Sequence, residues 1–179
     1  MALRKIVIQG DEILNKVCKP VQTFDKKLHQ LLDDMAETLV EAEGVGLAAP
    51  QVGMLKQVCI VEDDAGELIE LINPEIIQQS GSQTGLEGCL SVPGKWGLVT
   101  RPMYVRVRAQ DRNGCWFETE GEGLTARAFA HEIEHLSGHL YVEHIDRFLT
   151  ESEVERIIRR EEEEAAKAER EAEAGKEPQ

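Results

Sequence analysis

The segment LTARAFAHEIEHLSG, Leu124 to Gly138, constrains the fold more than any other stretch of the chain. Its first half is small and apolar, so a helix built from it packs inside the protein, and Gly138 stands where that helix stops. His131 and His135 are four residues apart, which on a helix places both imidazoles on one face, one turn apart. Glu132 follows about 100° round the axis, beside the pair. Burying two histidines and a carboxylate without partners is costly, so the rest of the chain must fold to supply partners. The pattern suits two ligands of a divalent metal ion and a base that takes a proton from water held by the ion. Two protein ligands are too few for a stable site, which has three or four.

Candidates for the third ligand are His139, Glu143, His144 and the cysteines Cys18, Cys59, Cys89 and Cys115. The third histidine of a metzincin would fall on Tyr141 and is missing. His139 continues the four-residue spacing, but three ligands along a straight helix span about 12 Å, too far for one ion. Cys59, in QVCIVE, has the setting of a small buried hydrophobe. Cys89, in GLEGCLSVPG, lies between Gly88 and a turn, where glycine permits close backbone approach. Context favours Cys89; spacing alone does not select it.

The chain's 179 residues form one domain with a charged extension. TFDKKLHQLLDDMAETLVEAEG reads as a helix with Leu28, Leu31, Leu32, Met35 and Leu39 on one face, capped by Thr23 or Asp25 and stopped in a left-handed conformation at Gly44. KQVCIVED, ELIELINPEII and MYVRVRAQD read as strands, and the Asn-Gly of DRNGCW turns the chain into a returning arm, CWFETE. The expected fold class is α+β, with mostly antiparallel sheets packed around a central helix bearing the HExxH motif, and a C-terminal helix or tail. Residues 1–150 form the catalytic domain. Residues 151–179 carry 11 glutamates against six lysines and arginines, with an apolar face of only Val154, Ile157 and Ile158. They read as a helix that frays into a solvated tail.

A net charge of −14 argues against broad nucleic-acid binding and against an anionic membrane as partner. There is no run of 18 apolar residues, and the IVI of the opening is too short for a signal-peptide core. The expectation is a cytoplasmic protein with reduced cysteines.

Three stretches, GVGLAAPQVG (Gly44 to Gly53), EGCLSVPG (Glu87 to Gly94) and HEIEHLSG (His131 to Gly138), resemble in order and spacing the three signature motifs of the peptide deformylases of bacterial type. The opening GDEILNKVCKPV is similar to the family's start, and the likeness covers roughly residues 1–148. The resemblance implies a hydrolase that removes the formyl group from N-formylmethionine of nascent chains and releases formate. It implies Cys89, His131 and His135 as metal ligands, with ferrous iron expected and zinc, nickel or cobalt found in preparations. It implies Glu132 as the proton carrier, with the Gln51 amide and the Leu90 backbone N–H as donors to the formyl oxygen. Gly44, Val45 and Gly46 would lie along an extended peptide. Val45, Leu90, Leu124 and Ala128 would wall the methionine pocket, and Arg101 would pair with Glu87. A transient ribosome contact belongs to the same expectation, although the tail's basic spot, Arg156 to Arg160, is followed by four glutamates. The chain departs from the family at Glu134, where the motif has Asp. The competing readings are a zinc peptidase of the HExxH kind and a non-catalytic binder of unprocessed N-termini.

Overall fold

The computed structural model describes residues 2–174. Its centre is a five-stranded antiparallel sheet of β1 (Gly46–Ala48), β2 (Val58–Glu62), β3 (Leu68–Ser80), β6 (Tyr104–Gln110) and β7 (Trp116–Glu122), in that spatial order. A separate hairpin, β4 (Gln83–Cys89) and β5 (Val92–Arg101), leaves the sheet between β3 and β6. The helices are α1 (Lys26–Glu41), α2 (Gly123–His135) and α3 (Glu151–Ala174).

Alternation along β2 explains the layering. Side chains of a strand point to opposite faces in turn, and here both faces are covered. Cys59 and Val61 face a cluster that includes Ala126 and Phe129 of α2 and Leu136 just after it, together with Val105 and Val107 of β6. Val58 and Ile60 face Leu28, Leu32, Met35 and Leu39 of α1. The sheet is therefore sandwiched between the two helices, and the α+β reading with α2 at its heart holds. The expected strands are present as β2, β3 and β6, and β7 returns across the Asn113-Gly114 turn, pairing Trp116 with Gln110.

Asp25 caps α1, its side chain accepting from the N–H groups of Lys27 and Leu28. The stop at the other end corrects the expectation. Glu43, not Gly44, takes the left-handed conformation, with φ 51°. The N–H of Glu43 donates to Val40 and that of Gly44 to Leu39, the Schellman pattern with Glu43 at its left-handed position. Gly44 serves space instead: a Cβ there would lie 2.8 Å from Leu39 Cδ1 and 2.9 Å from Leu90 Cδ1.

The helix α3 is tethered at its start. Thr150 donates from both N–H and hydroxyl to Glu153, which also pairs with Arg147. Val154 and Ile157 are half-buried and Ile158 is exposed. The frayed tail expected beyond α3 falls on residues 175–179, which lie outside the described residues.

Just beyond α2, Gly138 is constrained by both its backbone conformation and its surroundings. Gly138 adopts φ +83°, and the N–H of Cys18 donates to the Leu136 carbonyl beside it. A Cβ at Gly138 would sit 2.7 Å from the Asn15 carbonyl carbon and 2.8 Å from its oxygen. Gly138→Ala therefore incurs both left-handed strain and a backbone clash, together about 2–4 kcal/mol. Urea denaturation should show a lower midpoint with an unchanged slope; a loss below about 0.5 kcal/mol would contradict this reading.

Candidate metal centre

The hairpin β4–β5 and the helix α2 meet at one point, and there Cys89, His131 and His135 come together. Their ligand atoms all lie within 4.8 Å of one another. Cys89 is the last residue of β4 and pairs with Val92, so the third candidate ligand comes from a strand end at a tight turn and not from a loop. The register explains its placement. Between the Glu87–Gly97 and Cys89–Val92 pairs, Gly88 alone opposes Pro93 to Trp96, a bulge that swings the sulfur inward. The N-terminal segment straps this corner from outside, with N–H groups of Val7 and Gln9 donating to the carbonyls of Gln51 and Ser91, each at 2.7 Å.

Cys89 Sγ accepts from Gln51 Nε2 and from the Ser91 N–H, and lies 3.4 Å from His135 Nε2. Nδ1 of His131 is held 3.0 Å from Glu87 Oε2, which leaves Nε2 of that ring to face the sulfur. The rings of His131 and His135 stand edge to face, 4.9 Å between centroids. A half-buried thiol and two buried imidazoles, one fixed by a carboxylate through its far nitrogen, match the donor chemistry of a divalent transition-metal site. Two further polar atoms in this group, Glu132 Oε2 and His135 Nδ1, are buried with no protein hydrogen-bond partner among the described residues. Leaving a carboxylate oxygen so placed is costly unless a bound guest satisfies it.

Glu87 organises the surroundings. It is 4% exposed and receives Nε and Nη2 of Arg101 at 2.9 and 3.0 Å, Nη1 of Arg127 at 2.9 Å, and His131. The expected Arg101–Glu87 pair is present; the role of Arg127 escaped the sequence reading. Burial pushes the Glu87 carboxyl up, but hydrogen bonds from His131 and Arg101 outweigh it and hold it at about 2. Burial likewise opposes a proton on His131, yet its hydrogen bonds with Cys89 and Glu87 push it up to about 10. A divalent cation competes for the same nitrogen, so metal uptake would release that proton. Burial pushes Glu132 up to about 7, a push reinforced by Glu87 and opposed by His131 and Arg101. A carboxyl near neutrality can both take and return a proton at working pH.

The side chain of Glu132 lies against β1. A Cβ on Gly46 would fall 2.6 Å from Glu132 Oε1 and 2.7 Å from its Cγ, so only glycine leaves the carboxylate in place. Gln51 is 1% exposed; its Oε1 accepts from the Ala48 N–H at 2.8 Å, which aims Nε2 at Cys89 and Ser91.

These groups open onto a cavity of about 580 Å3. Gly44, Val45, Gly46, Gln51, Cys89, Leu90, Leu124, Ala128, His131 and Glu132 all line it, so the residues expected for substrate contact gather around the metal candidates. His135 stands behind them, 1% exposed. Val45 and Leu124 are about half exposed, at the mouth, whereas Ala128 is buried. Leu86, Lys95 and Trp96 also line the cavity and were not anticipated. An aromatic two residues beyond a Pro-Gly turn was the available signal for Trp96. The other ligand candidates lie elsewhere: His139 pairs with Glu143 on the surface, His144 with Glu134, and Cys18 and Cys59 are buried in the core. Tyr141, at the metzincin position, stacks over His131 at 6.0 Å between centroids and donates its hydroxyl to the Lys95 carbonyl.

The polypeptide deformylase family matches residues 3–151. The peptide deformylase of Lachnoclostridium phytofermentans is 58% identical over 145 residues, covering 80% of this chain and 89% of that protein. A solved peptide deformylase from Legionella pneumophila superimposes with a TM-score of 0.77 at 40% identity, covering 98% of this chain and 99% of that one. The Met-Ala-Ser-bound class I type b enzyme from Acinetobacter baumannii aligns with a TM-score of 0.75 at 36% identity, covering 80% and 98% of the two chains. The chain belongs to the polypeptide deformylase family.

The depressed Glu87 carboxyl predicts how metal-stripped protein responds to acid. Its folded pKa, about 2, lies below the ordinary carboxylate value of ~4.3, so its stabilisation is complete above that value and is lost as pH falls towards 2. Denaturation in the presence of chelator should therefore show stability falling between about pH 4.5 and 2, with a shallower fall in Glu87→Gln. Identical slopes for the two proteins would contradict the assignment.

Proposed function

We propose that Cys89, His131 and His135 hold a divalent cation, ferrous iron in the cell, at the centre of this deformylase. The chain is a metallo-hydrolase that removes the formyl group from the N-terminal formylmethionine of nascent polypeptides and releases formate. The observation that carries the assignment of residues is the thiol–imidazole–imidazole cage, within 4.8 Å, beside a carboxyl pushed up to about 7. One thiolate and two imidazoles suit iron and zinc alike; the preference for iron comes from the family resemblance.

A divalent cation held by Cys89, His131 and His135 would supply Lewis acidity, polarising a carbonyl and lowering the pKa of nearby water. Glu132 takes a proton from the attacking water and passes it to the departing amine nitrogen. That transfer is what a carboxyl near pH 7, wedged against Gly46, is placed to do. As charge builds on the formyl oxygen, Gln51 Nε2 and the Leu90 backbone N–H donate to it, each worth about 3 kcal/mol in the barrier. Gln51 is preset for this by its bond to the Ala48 N–H. β1 ends the sheet, and Gly44, Val45 and Gly46 line the cavity, so an extended peptide pairs there through backbone groups. Such pairing accepts many sequences, as an enzyme acting on most nascent chains requires. Leu90, Leu124, Ala128 and Val45 receive the methionine side chain.

A cytoplasmic location and a transient ribosome contact complete this reading, supported by a substrate that emerges from the ribosome. No helix among the described residues is long and apolar enough to cross a membrane. The family match ends at residue 151, which supports a catalytic domain of residues 1–150 and an extension of 151–179.

The test is formate release from N-formyl-Met-Ala by protein prepared without oxygen. Glu132→Gln should keep the metal and lose about 10²–10⁴-fold in kcat. Cys89→Ala should lose the metal as well as the activity. Full activity in Glu132→Gln would mean another group carries the proton, and cleavage of internal peptide bonds by the wild type would favour the peptidase reading.

A further inference from the structure

Arg101 is a 5% exposed guanidinium shared between two carboxylates. Its Nε and Nη2 grip Glu87, while Nη1 lies 2.7 Å from Oε2 of Glu134. The two oxygens of Glu134 also accept from His144 Nε2, at 3.1 and 3.2 Å. An unbroken polar chain thus runs from His144, through Glu134, Arg101 and Glu87, to Nδ1 of His131. Its outer end is accessible, the side chains of His144 and Glu134 being 41% and 31% exposed.

Side-chain length matters here. Glu134 stands where the signature motif has Asp, and it is rooted on the last turn of α2. Its carboxylate faces Arg101 at the end of β5 on one side and His144 of the short helix Tyr141–His144 on the other. A guanidinium is a rigid planar fork, so a partner fixing one end sets the direction of the other. That other end holds Glu87, which holds the ring of His131. A half-exposed ion pair contributes little to stability, so the Glu134–His144 contact matters chiefly through what it orients.

We infer that Glu134 and His144 are positioning residues of the deformylase. By bridging Arg101 and His144, Glu134 ties the segment after α2 to the metal centre and steadies the ring of His131. Neither residue touches substrate or ion. The inference rests on Cys89, His131 and His135 being the ligands.

The experiment compares wild type, His144→Ala, Glu134→Asp and the double variant, each loaded with Co2+ without oxygen. Cobalt loss to a chelator, the visible cobalt absorption, and kcat and KM for N-formyl-Met-Ala are read for each. Glu134→Asp retains a charge for Arg101 but is too short to reach His144 as well. Each single variant should speed cobalt loss and lower kcat by about 3-fold, below the 10–100-fold typical of a ligand's direct partner, with KM unchanged. The double variant should be no worse than either single one, because both break the same link. His144→Gln, which keeps a side-chain N–H donor, should recover most of the effect. Wild-type values in His144→Ala, or additive losses in the double variant, would overturn the inference. Failure of the ligand assignment looks different: the wild type itself would lack the sulfur-to-cobalt absorption, and the inference would fall with it.

Discussion

The carboxylate of Glu87 is the interaction on which the rest depends. It sits at the end of β4, where it gathers Arg101 from β5, Arg127 and His131 from α2. Burying four ionisable groups is unfavourable unless each finds a partner. Here each does, and the pairing fixes the angle at which the hairpin meets the helix. That angle places Cys89 opposite His131 and His135. Removing the carboxylate would leave the buried guanidinium of Arg127 without its anion and Arg101 with Glu134 alone, a loss of about 3–5 kcal/mol in comparable cases, and would free the ring of His131 to turn.

Much of this was legible in the amino-acid sequence because it follows from period and composition. The apolar stripe of α1, the alternation of β2 and β6, the Asn-Gly turn before β7 and the buried character of α2 each have a local cause. β1 did not, since three residues carry no period, and neither did β4 and β5, whose Gly-, Pro- and Trp-bearing bulge hides the alternation. The left-handed end of α1 was placed on Gly44 because glycine has no Cβ penalty there. The fold uses Gly44 instead to let Leu39 and Leu90 approach, and Glu43 bears the strain.

The site divides in the same way. His131, Glu132 and His135 follow from helical spacing, but no local rule joins them to a cysteine some 40 residues earlier. That link came from the likeness of three motifs. Arg127 was overlooked although its signal was present: an arginine within TARAFA, on a helix bound for the core, must find a buried anion. Glu134 shows in the sequence only as a departure from the motif's Asp; its partners, Arg101 and His144, are visible only in three dimensions.

Sulfur from Cys89 is the donor that distinguishes this metal centre. X-ray absorption on protein purified without oxygen, recorded at the edge of whichever divalent ion it carries, measures this directly. One sulfur scatterer at about 2.3 Å with two imidazole nitrogens near ~2.1 Å is the predicted shell, and it should lose its sulfur in Cys89→Ser. A shell of nitrogen and oxygen alone in the wild type would contradict the assignment of Cys89, and with it the geometry by which β4, β5 and α2 build this site.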